Sequence, residues 1–214
     1  MSQNDTTASQ QPSPTPGLHV LLAVGFEGSL ALLALGIGWL CGHWPLVNMF
    51  QPDGLKGECI AAAIGLAASI PPIVALWVMD YLPWAALQHL RHLVRDLLKT
   101  WLGGASAGQL ALVALAAGVG EEFLFRGLIQ AGLARWIGPP LGDGVGLAVA
   151  SLLFGVCHWL STTYAVLATG AGLYFGLLML VSGSLWTPLV AHAVYDFIAL
   201  MYLLDARHGS ARVG

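Results

Sequence analysis

The chain has 214 residues, 57% of them hydrophobic and only 9% charged, with a formal net charge of -3 and a mean hydropathy of +0.76. A soluble domain carries about 25% charged residues, so this chain cannot cover a water-facing surface, and its small acidic balance gives no sign of a nucleic-acid partner. Its 27 glycines and 8 tryptophans suit membrane helices and their interfaces, and the expected fold class is all-α, a polytopic transmembrane helix bundle in contact with membrane lipids. The three cysteines (Cys41, Cys59, Cys157) have no CxxC spacing, which argues against a disulfide framework and a thiolate zinc site.

Residues 1–17 are polar, rich in Ser, Thr, Gln and Pro, and contain no Lys or Arg. They cannot bury enough apolar surface to offset ordering entropy and read as a disordered tail; without a basic n-region they do not read as a cleavable signal. Residues 18–41 are long enough for the roughly 20 residues a bilayer needs, with Glu27 as an interruption. Two readings of Glu27 stand: a polar contact reaching towards an active centre, or, more plainly, a helix carboxylate that meets water or a neighbouring helix. A loop (43–56) holds Pro45, Pro52 and an Asp53-Gly54 turn signal. The second span, about 57–79, carries Pro71-Pro72 in its middle; the prolines remove backbone donors and predict a kink or break, tolerable where neighbours satisfy the freed carbonyls.

Residues 84–101 differ in kind. Leu87, Leu90, Val94, Leu97, Leu98 and Trp101 form a 3.6-period stripe opposite Gln88, Arg91, His92, Arg95 and Lys99, the pattern of a basic amphipathic helix in the membrane interface. A connector packed against the bundle is the alternative. Four further apolar segments follow at 110–134, 145–160, 166–181 and 185–204, making six spans and one interfacial helix. Basic residues set the orientation: Arg91, Arg95, Lys99, Arg207 and Arg212 fall on one side, and Lys56 and Arg135 on the other. The positive-inside rule then places both termini in the cytoplasm.

Inside the spans the ionisable residues are few: Glu27, Glu121, Glu122, Arg126, His158, His192 and Asp196. A charged side chain at mid-membrane costs roughly 2.5–3.5 kcal/mol on insertion scales, so Glu121, Glu122 and Arg126 need partners. Helical spacing supplies one, because Glu122 and Arg126 lie four apart and share a face, while Glu121 points elsewhere. His192 and Asp196 share a face by the same rule, and His158 ends another span. Each piece alone reads as a structural hydrogen-bonder or ion pair. Together, two Glu, two His and an Asp on three helices can activate a water, as a general base with its partners or around a metal.

The pattern Glu-Glu-x-x-x-Arg (Glu121, Glu122, Arg126), Phe-x-x-x-His (Phe154, His158) and His-x-x-x-Asn/Asp (His192, Asp196) resembles the CAAX-protease and bacteriocin-processing (CPBP, or Abi) family. Its members are intramembrane proteases related to the Ras-converting CAAX endopeptidase. The resemblance covers about residues 109–200 and makes 18–205 a helical protease domain, with 206–214 as a tail. It implies that Glu121, with His158, activates the water that attacks a peptide carbonyl. Glu122 would pair with Arg126 and hold the geometry, and His192 with the residue four beyond would stabilise the oxyanion. Here that residue is Asp196, where eukaryotic CAAX-processing members usually carry Asn. An ionised Asp cannot donate to an oxyanion, so Asp196 must be protonated, orient His192 or bind a metal, and its presence favours a bacterial member in the inner membrane.

The family has been described both as metalloprotease and as metal-independent glutamate protease. A divalent metal such as Zn2+ would have Glu121, His158 and His192 as its available ligands; there is no HExxH. The implied partner is a peptide or protein substrate, prenylated in the type reaction. Other intramembrane proteases fit worse: Ser182-Gly183-Ser184 does not supply a rhomboid-like GxSG, and a presenilin-like pair of Asp143 and Asp196 leaves both glutamates unexplained. Outside catalysis, a membrane scaffold or a proton or ion carrier could use the same carboxylates.

Overall fold

The structure, a computed structural model of the chain, describes residues 16–49 and 53–205. The expected tails therefore lie outside the described residues up to residue 15 and from residue 206, as do Arg207, Arg212 and Pro52. Pro16 and Gly17, expected in the tail, instead form the first turn of α1 (Pro16–Leu40); proline suits a helix start because its missing N–H has no intrahelical partner there. Helices and short connections make up the described chain, without a strand. Large apolar side chains such as Leu21, Leu32, Trp39 and Leu66 are exposed along the bundle, the surface expected of a multi-pass integral membrane protein.

The second apolar segment is broken, as its prolines predict. α2 (Leu55–Ala68) ends and α3 (Ile70–Tyr81) begins around Ser69, with the prolines in the first turn of α3, the part of a helix that tolerates them best. Pro72 cannot donate to the Ala68 carbonyl, and the Tyr174 hydroxyl does so from another helix at 2.7 Å. That bond meets the requirement that every freed backbone group inside a membrane be satisfied.

α4 (Ala85–Leu102) carries the expected stripe, but much of it is turned onto the bundle. Leu90 and Leu102 are buried while Leu97 and Trp101 are exposed, and the Arg95 Nε donates to the Leu203 carbonyl at 3.1 Å. A sharp bend of 112° separates α4 from the next helix. There α5 (Ala107–Glu122) opens with a capping box: the Ser106 hydroxyl accepts from the Gln109 N–H, and the Gln109 side chain accepts from the Ser106 N–H. This reciprocal pair satisfies two otherwise orphaned donors. α5 continues without interruption through a wide-turn π segment (Phe123–Gln130) into α6 (Ala131–Ile137).

α7 (Gly142–Cys157), α8 (Thr162–Ser182) and α9 (Trp186–Leu204) complete the bundle. Every one of the six expected apolar segments is helical, but they do not all qualify as spans. By length and composition four stretches can cross a bilayer: Gly17–Leu40, Leu55–Tyr81, Thr162–Ser182 and Trp186–Leu204. The α5–α6 rod qualifies only together with α4, as a bent pair. At 16 residues α7 measures about 24 Å, short of the roughly 30 Å hydrocarbon core.

α5 and α9 pack along one another at the centre, α1 lies on α5 and the π segment, α2 lies on α9, and α7 pairs with α8. The α7–α8 contact is close because position 155 has no side chain: a Cβ there would overlap the Thr169 side chain and lie 2.7 Å from the Ala165 carbonyl oxygen. This contact brings the end of α7, and with it His158, against α8.

Candidate active site

The π segment begins immediately after Glu121 and Glu122. Wide turns of this kind occur frequently at functional sites, and here one sits where two consecutive carboxylates are both buried. Glu121 does not point away from its neighbour's partners as helical spacing suggested; both glutamates are buried and both approach His192.

Glu122 is committed through one oxygen, its Oε2 being shielded without a partner. Its Oε1 lies 3.1 Å from Arg126 Nη1 and accepts from His192 Nδ1 at 2.8 Å. The Arg126 guanidinium is 1% exposed, and its Nη2 donates to the Gly172 carbonyl of α8 at 2.9 Å. Three rings surround it, and Phe154 lies nearest, with its centroid 4.7 Å from Cζ. Aromatic faces attract a desolvated cation, so Glu122, the α8 carbonyl and the rings share the compensation for its burial. One turn on, Gln130 repeats the device by donating to the Gly176 carbonyl at 3.0 Å. Two side chains four apart on one rod thus bond two carbonyls four apart on α8.

Glu121 has a different setting. Its Oε1 lies 3.6 Å from His158 Nε2 and its Oε2 lies 3.9 Å from His192 Nε2. Neither is a direct hydrogen bond, and Oε2 is shielded and without a partner. His158 stands just past the end of α7, where its Nδ1 bonds the Phe154 carbonyl at 2.8 Å and its ring stacks on Phe154 with centroids 4.4 Å apart. As a carbonyl can only accept, Nδ1 carries the hydrogen and Nε2 is turned to Glu121. His192 is held alike: its ring stacks on Phe175 at 4.7 Å, Nδ1 donates to Glu122, and Nε2 lies 3.5 Å from Asp196 Oδ2. Asp196 is the most open member of the cluster, its side chain 28% exposed.

The six residues singled out from the sequence therefore converge at one place, from α5, the π segment, the end of α7 and α9. They border a cavity of about 680 Å³ that Glu121, His158, His192 and Asp196 line. Its other walls are mainly apolar and come mostly from α3, α4, α8 and α9, with Glu27 of α1, Val113 and Ala117 of α5, Phe154 of α7 and the ion pair of Arg91 and Asp80, 2.6 Å apart, also on the lining.

Glu121, His158 and His192 are the residues a divalent metal would need. As placed they do not make a ligand set: among the described residues no group of three or more His, Cys, Asp or Glu is arranged to hold a metal ion.

Some members were missed from the sequence. Gln130 had a signal, since Glu122, Arg126 and Gln130 recur every fourth residue in an otherwise apolar stretch. Phe175 had none; a Phe in an apolar helix does not announce that it stacks on an imidazole. His43, read as part of a loop, is buried against the outer side of the π segment, its Nε2 bonded to the Gly127 carbonyl at 2.8 Å.

Neither a curated protein nor a solved structure matches the chain. Residues 103–198, which hold all three motifs and every member of the cluster named from them, match the family model Rce1-like, the Type II CAAX prenyl endopeptidases. This segment, with its paired glutamates, two histidines and Asp196 around one cavity, belongs to the CAAX-protease family.

Proposed function

We propose that the protein is an intramembrane endopeptidase in which Glu121, assisted by His158, activates the water that cleaves a peptide bond. One observation carries this reading: of two adjacent buried glutamates, Glu122 is tied to Arg126 and His192, whereas Glu121 faces two imidazole Nε2 atoms without being bonded to either. A general base must be held near its reactants yet keep an oxygen free, and such contacts often tighten only when substrate is bound.

The reaction follows from these positions. Glu121 takes a proton from water as the water oxygen attacks the substrate carbonyl carbon, leaving a negative charge on the carbonyl oxygen. His192 stabilises that charge when its Nε2 carries a hydrogen; Glu122 on Nδ1 and Asp196 beside Nε2 keep the ring in place. Glu121 then returns its proton to the amine nitrogen as the C–N bond breaks, giving a carboxylic acid and a free amine. Asp196 thus orients His192 and does not itself donate to the oxyanion.

The largely apolar cavity suits a peptide presented from the membrane, and the C-terminal CAAX sequences of prenylated proteins, the substrates of the type reaction, are the first to try. Both termini lie in the cytoplasm in this reading, the protein residing in a bacterial inner membrane.

Comparative analysis of peptide termini in membranes carrying wild-type, Glu121→Gln or His158→Ala protein tests the proposal. Termini present with wild type and lost in both variants, at unchanged membrane levels of the protein, are the expected result. If both variants keep every wild-type terminus and phenotype, the carboxylates serve a scaffold or an ion carrier instead.

A further inference from the structure

Glu27 lies in the middle of the α1 span, outside the three motifs and outside the matched segment. Its own helix gives it nothing: the positions three and four residues away are Ala23, Val24, Leu30 and Ala31. No Lys or Arg lies in α1. An ionisable group inside a membrane span is costly and, when present, faces a partner or a water-filled cavity. Glu27 faces the cavity of Glu121, His158, His192 and Asp196, and its Oε2 is shielded without a hydrogen-bond partner.

The backbone fixes that placement. α1 packs on α5 so closely at this level that a Cβ on Gly120 would overlap the Glu27 carbonyl oxygen and lie 2.9 Å from its carbon. The residue just before Glu121 therefore has no side chain where residue 27 passes. Glu27 shares that cavity with groups from the other helices of the site: Glu121 from α5, His192 and Asp196 from α9, and His158 from the end of α7.

We propose that Glu27 is a positioning residue of the hydrolytic reaction, holding the attacking water against Glu121 from the α1 side. The inference rests on the proteolytic reading of the site. Glu27 forms a hydrogen bond with the water, Glu121 removes a proton from it, and the water oxygen goes to the carbonyl carbon; no further reactant is needed. α1 is then part of the active site, although it lies wholly outside residues 103–198.

The test uses full-length protein in lipid vesicles and a peptide spanning a terminus that membranes lose with Glu121→Gln. Glu27→Leu should lower kcat by about 100-fold, the low end of what positioned acid–base groups contribute, with KM within about twofold and the thermal midpoint unchanged. Glu27→Gln, whose amide bonds the same water, should recover kcat to within about 10-fold of wild type, a smaller loss than that range. Should the leucine protein be unstable, Glu27→Asp, which retracts the carboxyl by one methylene, is read in its place and should also lower kcat alone. Wild-type kcat in Glu27→Leu, or in Glu27→Asp where that is read, overturns the proposal. So does a change confined to KM, or a loss in all variants that follows thermal stability. If no terminus depends on Glu121, the proteolytic reading itself falls and takes this inference with it; if termini depend on Glu121 but not on Glu27, only the inference falls.

Discussion

Glu122 Oε1 accepts a hydrogen bond from His192 Nδ1 at 2.8 Å, joining residues 70 positions apart in the chain. The same oxygen lies 3.1 Å from Arg126, so one carboxylate holds both the guanidinium and the imidazole. The ion pair that looks local in sequence is also the clamp that sets the ring opposite Glu121.

Glu122→Ala should therefore damage the fold more than the Glu121 substitution does. It leaves Arg126 buried without its counter-charge, and breaking a buried pair by removing one partner costs about 3–5 kcal/mol. A thermal midpoint well below wild type in detergent is expected, against little change for Glu121→Gln. The double variant Glu122→Leu with Arg126→Met should regain much of the midpoint, since well-packed apolar replacements of buried pairs are often neutral. It should stay inactive because His192 has lost its clamp.

Asp196 stands beside His192 Nε2 at 3.5 Å on the open side of the site. Asp196→Asn can still accept from Nε2 and gains a donor, whereas Asp196→Ala leaves the ring without a partner there. The asparagine variant should keep kcat within about 10-fold of wild type and the alanine variant should lose about 100-fold, magnitudes in the range of a positioned catalytic group. Equal rates for the alanine variant and wild type would remove Asp196 from the mechanism.

Glu121, His158 and His192 do not close into a ligand set, and the water is activated by Glu121 in the proposed reaction. Prolonged dialysis against EDTA or 1,10-phenanthroline should leave cleavage unchanged. Loss of activity that stoichiometric Zn2+ restores would show that the three residues rearrange around a metal.

Tyr174 bonds the carbonyl that Pro72 frees. Tyr174→Phe should destabilise the protein by about 1–3 kcal/mol, the usual cost of an unsatisfied buried acceptor, read as a lower thermal midpoint. Retention of the wild-type midpoint would mean the broken α2–α3 segment satisfies that carbonyl in another way.

The helical bundle and most of the site were legible along the chain because charge is so costly in an apolar run. Glu121, Glu122, Arg126, His158, His192 and Asp196 stand out against residues that carry no polar group, and the i,i+4 rule pairs Glu122 with Arg126. The same rule misdirected the reading of Glu121, since it assumes a regular helix and the chain passes into a wide-turn segment at Phe123. Pro71-Pro72 foretold a break in the second apolar segment, but not that the tyrosine of α8 would mend it.

Sequence alone determined which groups are available for chemistry and that they lie within apolar helices, because composition and helical period are local properties. Tertiary packing decided their division of labour. Contacts across the bundle bind Glu122 to His192, seat Arg126 on an α8 carbonyl, stack His192 on Phe175 and turn the α4 stripe towards the cavity. No local pattern encodes which helix faces which, so only the packed structure shows Glu121 left open and Glu27 looking on from α1.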